Sequence, residues 1–214
     1  METKDIVTAL LTLISILISS MTAFSLIQQR KADRDSARSD RFTKAIEHLK
    51  DESLAVRIGA LYELKKLGLE DKEERKNIAM ILSPFIRNGI VKPLNPYYAY
   101  HEDLQRPGVD IFIACEIVSL FFRESKCKAS LSYLKAENLD LYKIPLSGAD
   151  LCHSNFRNTI LRKADLHGTD LRGAINLTAK QLVVAHIDDT TFLDPELRAE
   201  YDRLKSEQDQ TPAN

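Results

Sequence analysis

Between Leu139 and Arg172 the large apolar residues fall on every fifth position: Leu141, Leu146, Leu151, Phe156, Leu161, Leu166 and Leu171. Two places before each from Leu151 onward stands a small residue, namely Ala149, Ser154, Thr159, Ala164 and Thr169. Asp150, Asn155, Asp165 and Asp170 separate small from large. A period of five suits neither the 3.6 of a helix nor the 2 of a strand. It predicts a segmental coil whose short blocks bury their apolar pair only against the coils above and below.

Upstream the spacing becomes helical. Ile6 to Ile27 runs without a charge, and its 22 residues would span roughly 33 Å as a helix, enough to cross a bilayer. The run is longer than a signal-peptide core and lacks a small-residue cleavage pattern, so a retained anchor is expected. Arg30, Lys31, Arg34, Arg38 and Arg41 follow it, which by the positive-inside rule places the C-terminal part in the cytoplasm. Within the anchor, Thr8, Thr12, Ser15, Ser19 and Thr22 share one helical stripe. Small hydroxyl residues let membrane helices approach closely, so the stripe is a candidate packing face for a homo-oligomer or a partner. The opposing reading is that the hydroxyls bond back to their own helix.

Phe42, Ala45, Ile46 and Leu49 make the polar stalk amphipathic as it reaches a core. Ser53 is placed to cap a helix carrying Leu54, Ile58, Leu61, Leu64 and Leu67 and ending near Gly68. Asp71 with Glu74 reads as a capping box for a third helix bearing Ile78, Ile81, Leu82, Phe85 and Ile86, broken at Gly89. Asn95 to Tyr100 form a loop in which Tyr97, Tyr98 and Tyr100, with His101, cover the helical core or offer a binding surface. Val109 to Phe122 is apolar nearly all round, hence a buried helix. After the repeat, Thr178 caps a short helix through Val184, Asp188 to Asp194 form a polar turn, and Pro195 opens a last helix to about Ser206. These are expected to cap the coil.

The five-residue blocks resemble the pentapeptide repeat family, whose motif is Ala-(Asp/Asn)-Leu-x-x. The resemblance implies a right-handed four-sided β-helix with one block per side, the large and small residues pointing into the shaft and the rest facing water. Seven blocks from Glu137 give somewhat under two coils. Leu139 and Ile144 stand where small residues belong and Pro145 replaces the acidic residue, so the first coil is expected to be distorted where it meets the preceding helix. Asp51 to Leu67, with Val56-Arg57-Ile58-Gly59-Ala60-Leu61, resembles one unit of a HEAT-type helical repeat. The order of anchor, helices and pentapeptides resembles bacterial membrane-anchored pentapeptide repeat proteins, a group with a fold but no defined activity.

Composition narrows the functions further. The 30 Lys and Arg against 31 Asp and Glu leave no global bias towards nucleic acid. Cys115, Cys127 and Cys152 are an odd count without a CxxC pair, which fits a reducing compartment. No Gly-rich phosphate loop, GxSxG or HExxH is present, and the five histidines are scattered, with His153 and His167 on different sides of a four-block coil. No catalytic residue, cofactor or metal is therefore expected. DNA mimicry, a role known in the family, needs a long acidic solenoid, whereas residues 131–176 carry six basic and five acidic side chains. Arg157, Arg162 and Arg172 occupy the same outward place in their blocks and form the candidate interaction face.

The sequence thus predicts an α+β, single-pass protein of the cell inner membrane. Its parts are a transmembrane helix at 6–27, a stalk helix at 28–50, an α-helical, HEAT-like subdomain at 51–125, a pentapeptide repeat β-helix at 131–176, a helical cap at 177–207 and a disordered tail at 208–214. The expected function is a non-enzymatic, membrane-tethered scaffold that binds a protein partner and no nucleic acid, with homo-oligomerisation through the transmembrane helix. The alternative is a self-assembling membrane effector that disturbs the bilayer.

Overall fold

The computed structural model describes residues 3–91, 104, 106–122 and 129–209, and the side chains of 13–90, 104, 106–121 and 129–208. The loop tyrosines Tyr97, Tyr98 and Tyr100, together with His101 and Cys127, lie outside these residues. The chain divides into two units, 1–44 and 45–214. The first consists of most of helix α1 (Thr3–His48), which runs without interruption through the junction expected between anchor and stalk. Its side chains from Leu13 to Ile27 are exposed all round, the large apolar ones by 48 to 71 %. Among the described residues no helix is long and apolar enough to cross a membrane. The side chains of residues 6–12, which the expected span needs, lie outside the described set.

The second unit begins with the end of α1, where Ala45, and Leu49 in the turn just after it, are buried as their spacing predicts. Three helices follow: α2 (Leu54–Glu70), α3 (Glu74–Val91) and α4 (Val109–Phe122). Leu61, Leu64 and Leu67 of α2, Ile78, Leu82 and Ile86 of α3, and Ile117 of α4 are fully buried. Each such side chain contributes about 1.5–3 kcal/mol on leaving water. Two glycines expected to end helices instead lie inside them. A Cβ on Gly68 would collide with the Phe121 ring, and one on Gly89 with Ile111, so both let α2 and α3 close onto α4. The expected caps also differ. Ser53 occupies the N-cap position but its hydroxyl makes no capping bond, and Asp71 accepts from the Glu73 N–H at 2.9 Å.

Arg57 ties this subdomain together. Its Nε donates to Asp110 Oδ2 of α4 at 2.8 Å, and Nη1 donates to the carbonyls of Asp51 and Glu52, each at 2.9 Å. The three bonds join the turn after α1 to α2 and α4, with both charged groups buried.

From Ala129 the chain coils. Parallel bridges pair Ala129 with Ala149, Lys135 with Asn155, Asp140 with Ile160, Pro145 with Asp165, and Asn155 with Ile175. Each of these registers is one of twenty residues, so four blocks complete a turn and blocks twenty apart stack into a side; only at the cap does the spacing lengthen, to Asp165 with His186 and Asp170 with Phe192. The coil begins earlier than Leu131, and its first turn is as regular as the second, contrary to the expected distortion. Stacking explains why. Leu134 stands over Ser154, Leu139 over Thr159 and Ile144 over Ala164, while the small Ala136 stands over Phe156, and all are buried. Bulk removed in one turn is supplied by the next.

The coil is closed at both ends. At the start, Arg87 of α3 donates to the Ser130 carbonyl at 3.1 Å and Ser119 of α4 to the Pro145 carbonyl at 3.0 Å. At the finish, Thr178 and Gln181 form a capping box on α5 (Ala179–Leu182), as Thr178 predicted. Gln181 Nε2 also donates to the carbonyls of Phe156 and Thr159, each at 2.9 Å. Helix α6 (Pro195–Asp209) then packs on α5 and continues past the expected end at Ser206. Removing one partner of a buried ion pair strands the other, so Arg57→Ala is expected to destabilise the second unit by about 3–5 kcal/mol in denaturant unfolding of the full chain. A loss below about 1 kcal/mol, the range of an exposed pair, would contradict this role for Arg57.

Candidate interaction surface of the coil

Each corner of the coil has the same construction. From Leu141 to Leu171 the N–H three residues after each large position donates back to its carbonyl, as Ala149 does to Leu146 and Thr159 to Phe156, at 3.0 and 3.1 Å; at the first corner the Leu134 N–H donates to the Ser154 hydroxyl at 3.0 Å instead. The third residue of the turn has positive φ throughout: Tyr133, Asn138, Lys143, Gly148, His153, Asn158, Lys163, Gly168 and Gly173. This is the signature of a type II turn. The acidic or amide position does not simply face water. Asp140, Asp150, Asn155, Asp165 and Asp170 each accept from the backbone N–H two residues on, locking the corner. Inside, hydroxyls at the small position satisfy buried carbonyls of the turn above: Thr159 donates to Ala136 at 2.6 Å and Thr169 to Leu146 at 3.1 Å.

The two turn residues of each block project, joined by Lys135 and Ile175 from the position between small and large, and the side they occupy is fixed by the register. Arg157, Arg162 and Arg172 are separated by 5 and 10 residues, which sets them on three different sides. Arg172 is occupied besides: it donates through Nε and Nη2 to Asp170 at 2.9 and 2.7 Å and lies 5.4 Å from the Phe192 ring centroid. His153 stacks on Tyr133 with centroids 5.2 Å apart, over a Gly173 whose missing Cβ makes room for the imidazole.

The side carrying Gly148 and Gly168 lacks side chains at its corners and is hollowed there. A groove of about 240 Å³ is lined by Ser147, His167, Gly168, Asp188 and Thr190. His167 Nδ1 lies 2.5 Å from Asp165 Oδ1, and the His186 ring is 6.4 Å away, centroid to centroid. The Ser147 hydroxyl donates to the His167 carbonyl at 3.1 Å, not to its ring, so the three residues do not form a nucleophile with its base. Thr190 hydrogen bonds, aided by His167 and the Gly168 N–H, hold the Asp188 carboxyl below the usual carboxylate range. Among the described residues no group of three or more His, Cys, Asp or Glu is placed to hold a metal ion. His186 lies past the repeat and pairs with Asp165 at a spacing of 21, so the five-residue pattern alone did not announce it as a neighbour of His167.

In the first unit, Ser15, Ser19 and Thr22 of the expected packing stripe are exposed, while the side chains of Thr8 and Thr12 lie outside the described residues. Ser19 donates to the Ser15 carbonyl at 2.8 Å and Thr22 to the Ser19 carbonyl at 2.9 Å. Those donors are directed along their own helix.

Cys152 sits between two stacked carboxylates. Burial, then hydrogen bonds to Asp150 and Asp170, push its thiol up to about 12. The raised value suppresses the reactive anion until the solution becomes strongly alkaline. At pH 8 iodoacetamide is expected to modify Cys152 in the folded chain at least about 100-fold more slowly than in the denatured chain, as peptide mass mapping would show. Equal rates would contradict the carboxylate cage.

No curated protein matches the chain. Residues 129–175, the segment whose corners and register are described above, match the family model for pentapeptide repeats, in eight copies.

Proposed function

We propose that the protein is a membrane-tethered protein-interaction module without a catalytic centre, its pentapeptide segment a right-handed four-sided β-helix facing the cytoplasm. Pentapeptide repeats commonly serve in protein interaction rather than catalysis. The observation that carries the reading for this chain is the filled shaft. Leu131, Leu134, Leu141, Phe156, Leu166 and Leu171 are buried to within 1 %, which leaves a filled coil whose variable residues are those on its outside. The twenty-residue parallel return of the chain supports the β-helix.

The tether rests on α1. Leu13, Ile14, Ile16, Leu17, Ile18, Met21, Phe24, Leu26 and Ile27 expose apolar surface on every face of the helix, and water disfavours such surface by about 25 cal/mol per Å². Ile6, Val7, Ala9, Leu10 and Leu11 extend the same composition over helical backbone. A bilayer of roughly 30 Å accommodates the combined run. Partners on this reading are the membrane, a protein held by the coil, and a second copy through the transmembrane helix.

The test is to isolate membranes carrying the full chain, wash them with alkaline carbonate, extract in mild detergent, crosslink and identify what co-purifies. The chain is expected to resist carbonate, to be released by Leu17→Arg with Phe24→Arg, and to carry a specific protein. Release of the unaltered chain would overturn the tether. Self-crosslinks alone, abolished by changing Ser15, Ser19 and Thr22 to Leu, would favour the self-assembling effector.

A further inference from the structure

The near-neutral charge of the repeat conceals a sharp division among its sides. The first side (129–133, 149–153, 169–173) holds Asp150, Asp170 and Arg172, and the second (134–138, 154–158, 174–178) holds Lys135, Glu137 and Arg157. Each carries a single net charge. The third side (139–143, 159–163) holds Lys143, Arg162 and Lys163, all exposed, and one acid, Asp140, which is buried and accepts from the Tyr142 N–H at 3.0 Å. The fourth side (144–148, 164–168) with the cap loop beneath it holds Asp165, Asp188 and Asp189 and no Lys or Arg. Basic and acidic sides thus share an edge.

The basic side is built as one surface. Lys143 N–H donates to the Arg162 carbonyl at 3.2 Å, which seats the two cations on adjoining strands, and Lys163 follows Arg162 directly. Arg106 joins them from the segment leading into α4: its guanidinium lies 5.8 Å from the Tyr142 centroid and donates to the Tyr142 carbonyl at 3.5 Å. Lys143 lies over the same ring at 5.2 Å. Lys143, Arg162 and Lys163 have no acidic partner among the described residues. Of the three arginines the sequence suggested, only Arg162 belongs here.

We propose that this side, Arg106, Lys143, Arg162 and Lys163, is the docking surface for an acidic segment of a partner protein. The proposal rests on the interaction-module reading above and names the seat and chemistry of the contact. Charge complementarity selects an anionic occupant. The adjoining acidic side selects a narrow one: each side is one five-residue block wide, at most about 17 Å, so a duplex laid on it would overhang the edge and meet Asp165, Asp188 and Asp189. A single extended acidic peptide fits between edge and edge, while the acidic side repels a misplaced one.

The test uses the full chain in detergent and a fluorescein-labelled peptide of about ten glutamates, followed by anisotropy at about 50 mM salt, where screening is weak. Lys143→Glu with Lys163→Glu is expected to weaken binding at least tenfold. Lys135→Glu with Arg157→Glu, equal in charge change but on the second side, is expected to weaken it less than threefold. Lys143→Gln with Arg162→Gln guards against misfolding and is expected to show an intermediate loss with unchanged thermal unfolding. Equal losses in the two reversed pairs, or no binding by the unaltered chain, would overturn the proposal. So would tighter binding of duplex DNA than of the peptide, which would make the surface one for nucleic acid. A protein that co-purifies with the unaltered chain and stays bound to Lys143→Glu/Lys163→Glu would overturn the basic side as its seat while leaving the interaction module standing.

Discussion

Every corner of the coil requires one residue with positive φ, and the rest of the repeat follows from that constraint. Left-handed backbone costs an ordinary L-residue about 1–2 kcal/mol, and six of the nine corners use residues other than glycine. The cost is offset locally, by the Asp or Asn that accepts a hydrogen bond across five of the corners and by the turn bond back to the large residue at those from Leu141 to Leu171. Four such corners bring the chain back upon itself after twenty residues. The shaft they enclose is narrow enough that one turn's bulk must be matched by the next turn's small residue, as Ala136 is by Phe156.

A coil of this kind has two open ends, and the helices exist in this structure largely to close them. The first end is met by α3 and α4, whose side chains donate to the Ser130 and Pro145 carbonyls; the last is met by Gln181 and α6 behind it. The stiffness of the helical side comes from Arg57 and from the close approach that Gly68 and Gly89 allow. Two rigid caps on a filled rod leave little room for an internal site. Chemistry is therefore confined to the outer sides, which the register sorts by charge.

Much of this was legible in the sequence, and the misses share a cause. The Leu and small-residue columns announced the coil, Thr178 and Pro195 announced the closing helices, and Val109 to Phe122 was read to the residue as α4. Leu139 and Ile144 looked anomalous because each block was judged by itself, whereas the packing unit is a pair of blocks twenty apart. The arginines were grouped by their place in the block, although the side depends on the block's number. Gly68 and Gly89 resemble helix ends in one dimension, and only the facing Phe121 and Ile111 reveal why they are glycine. The positive-φ corners were half-visible: Gly148, Gly168 and Gly173 mark the place, but Tyr133, His153 and Lys163 hide it.

The twenty-residue register is the central claim, since packing, charge sorting and the placement of every outward residue depend on it. Asn158 Nδ2 donates to Asn138 Oδ1 at 3.1 Å across adjoining turns, and the spacing of adjoining strands, about 4.8 Å, is within the span a disulfide can bridge. The most direct measurement is mild oxidation of the chain carrying Asn138→Cys and Asn158→Cys, with the linked peptides identified by mass spectrometry. The register predicts a 138–158 crosslink in the folded chain and none between 138 and 163 in the matching Asn138→Cys, Lys163→Cys control. Failure of the first pair to link, or equal linking of both, would contradict the coil described here.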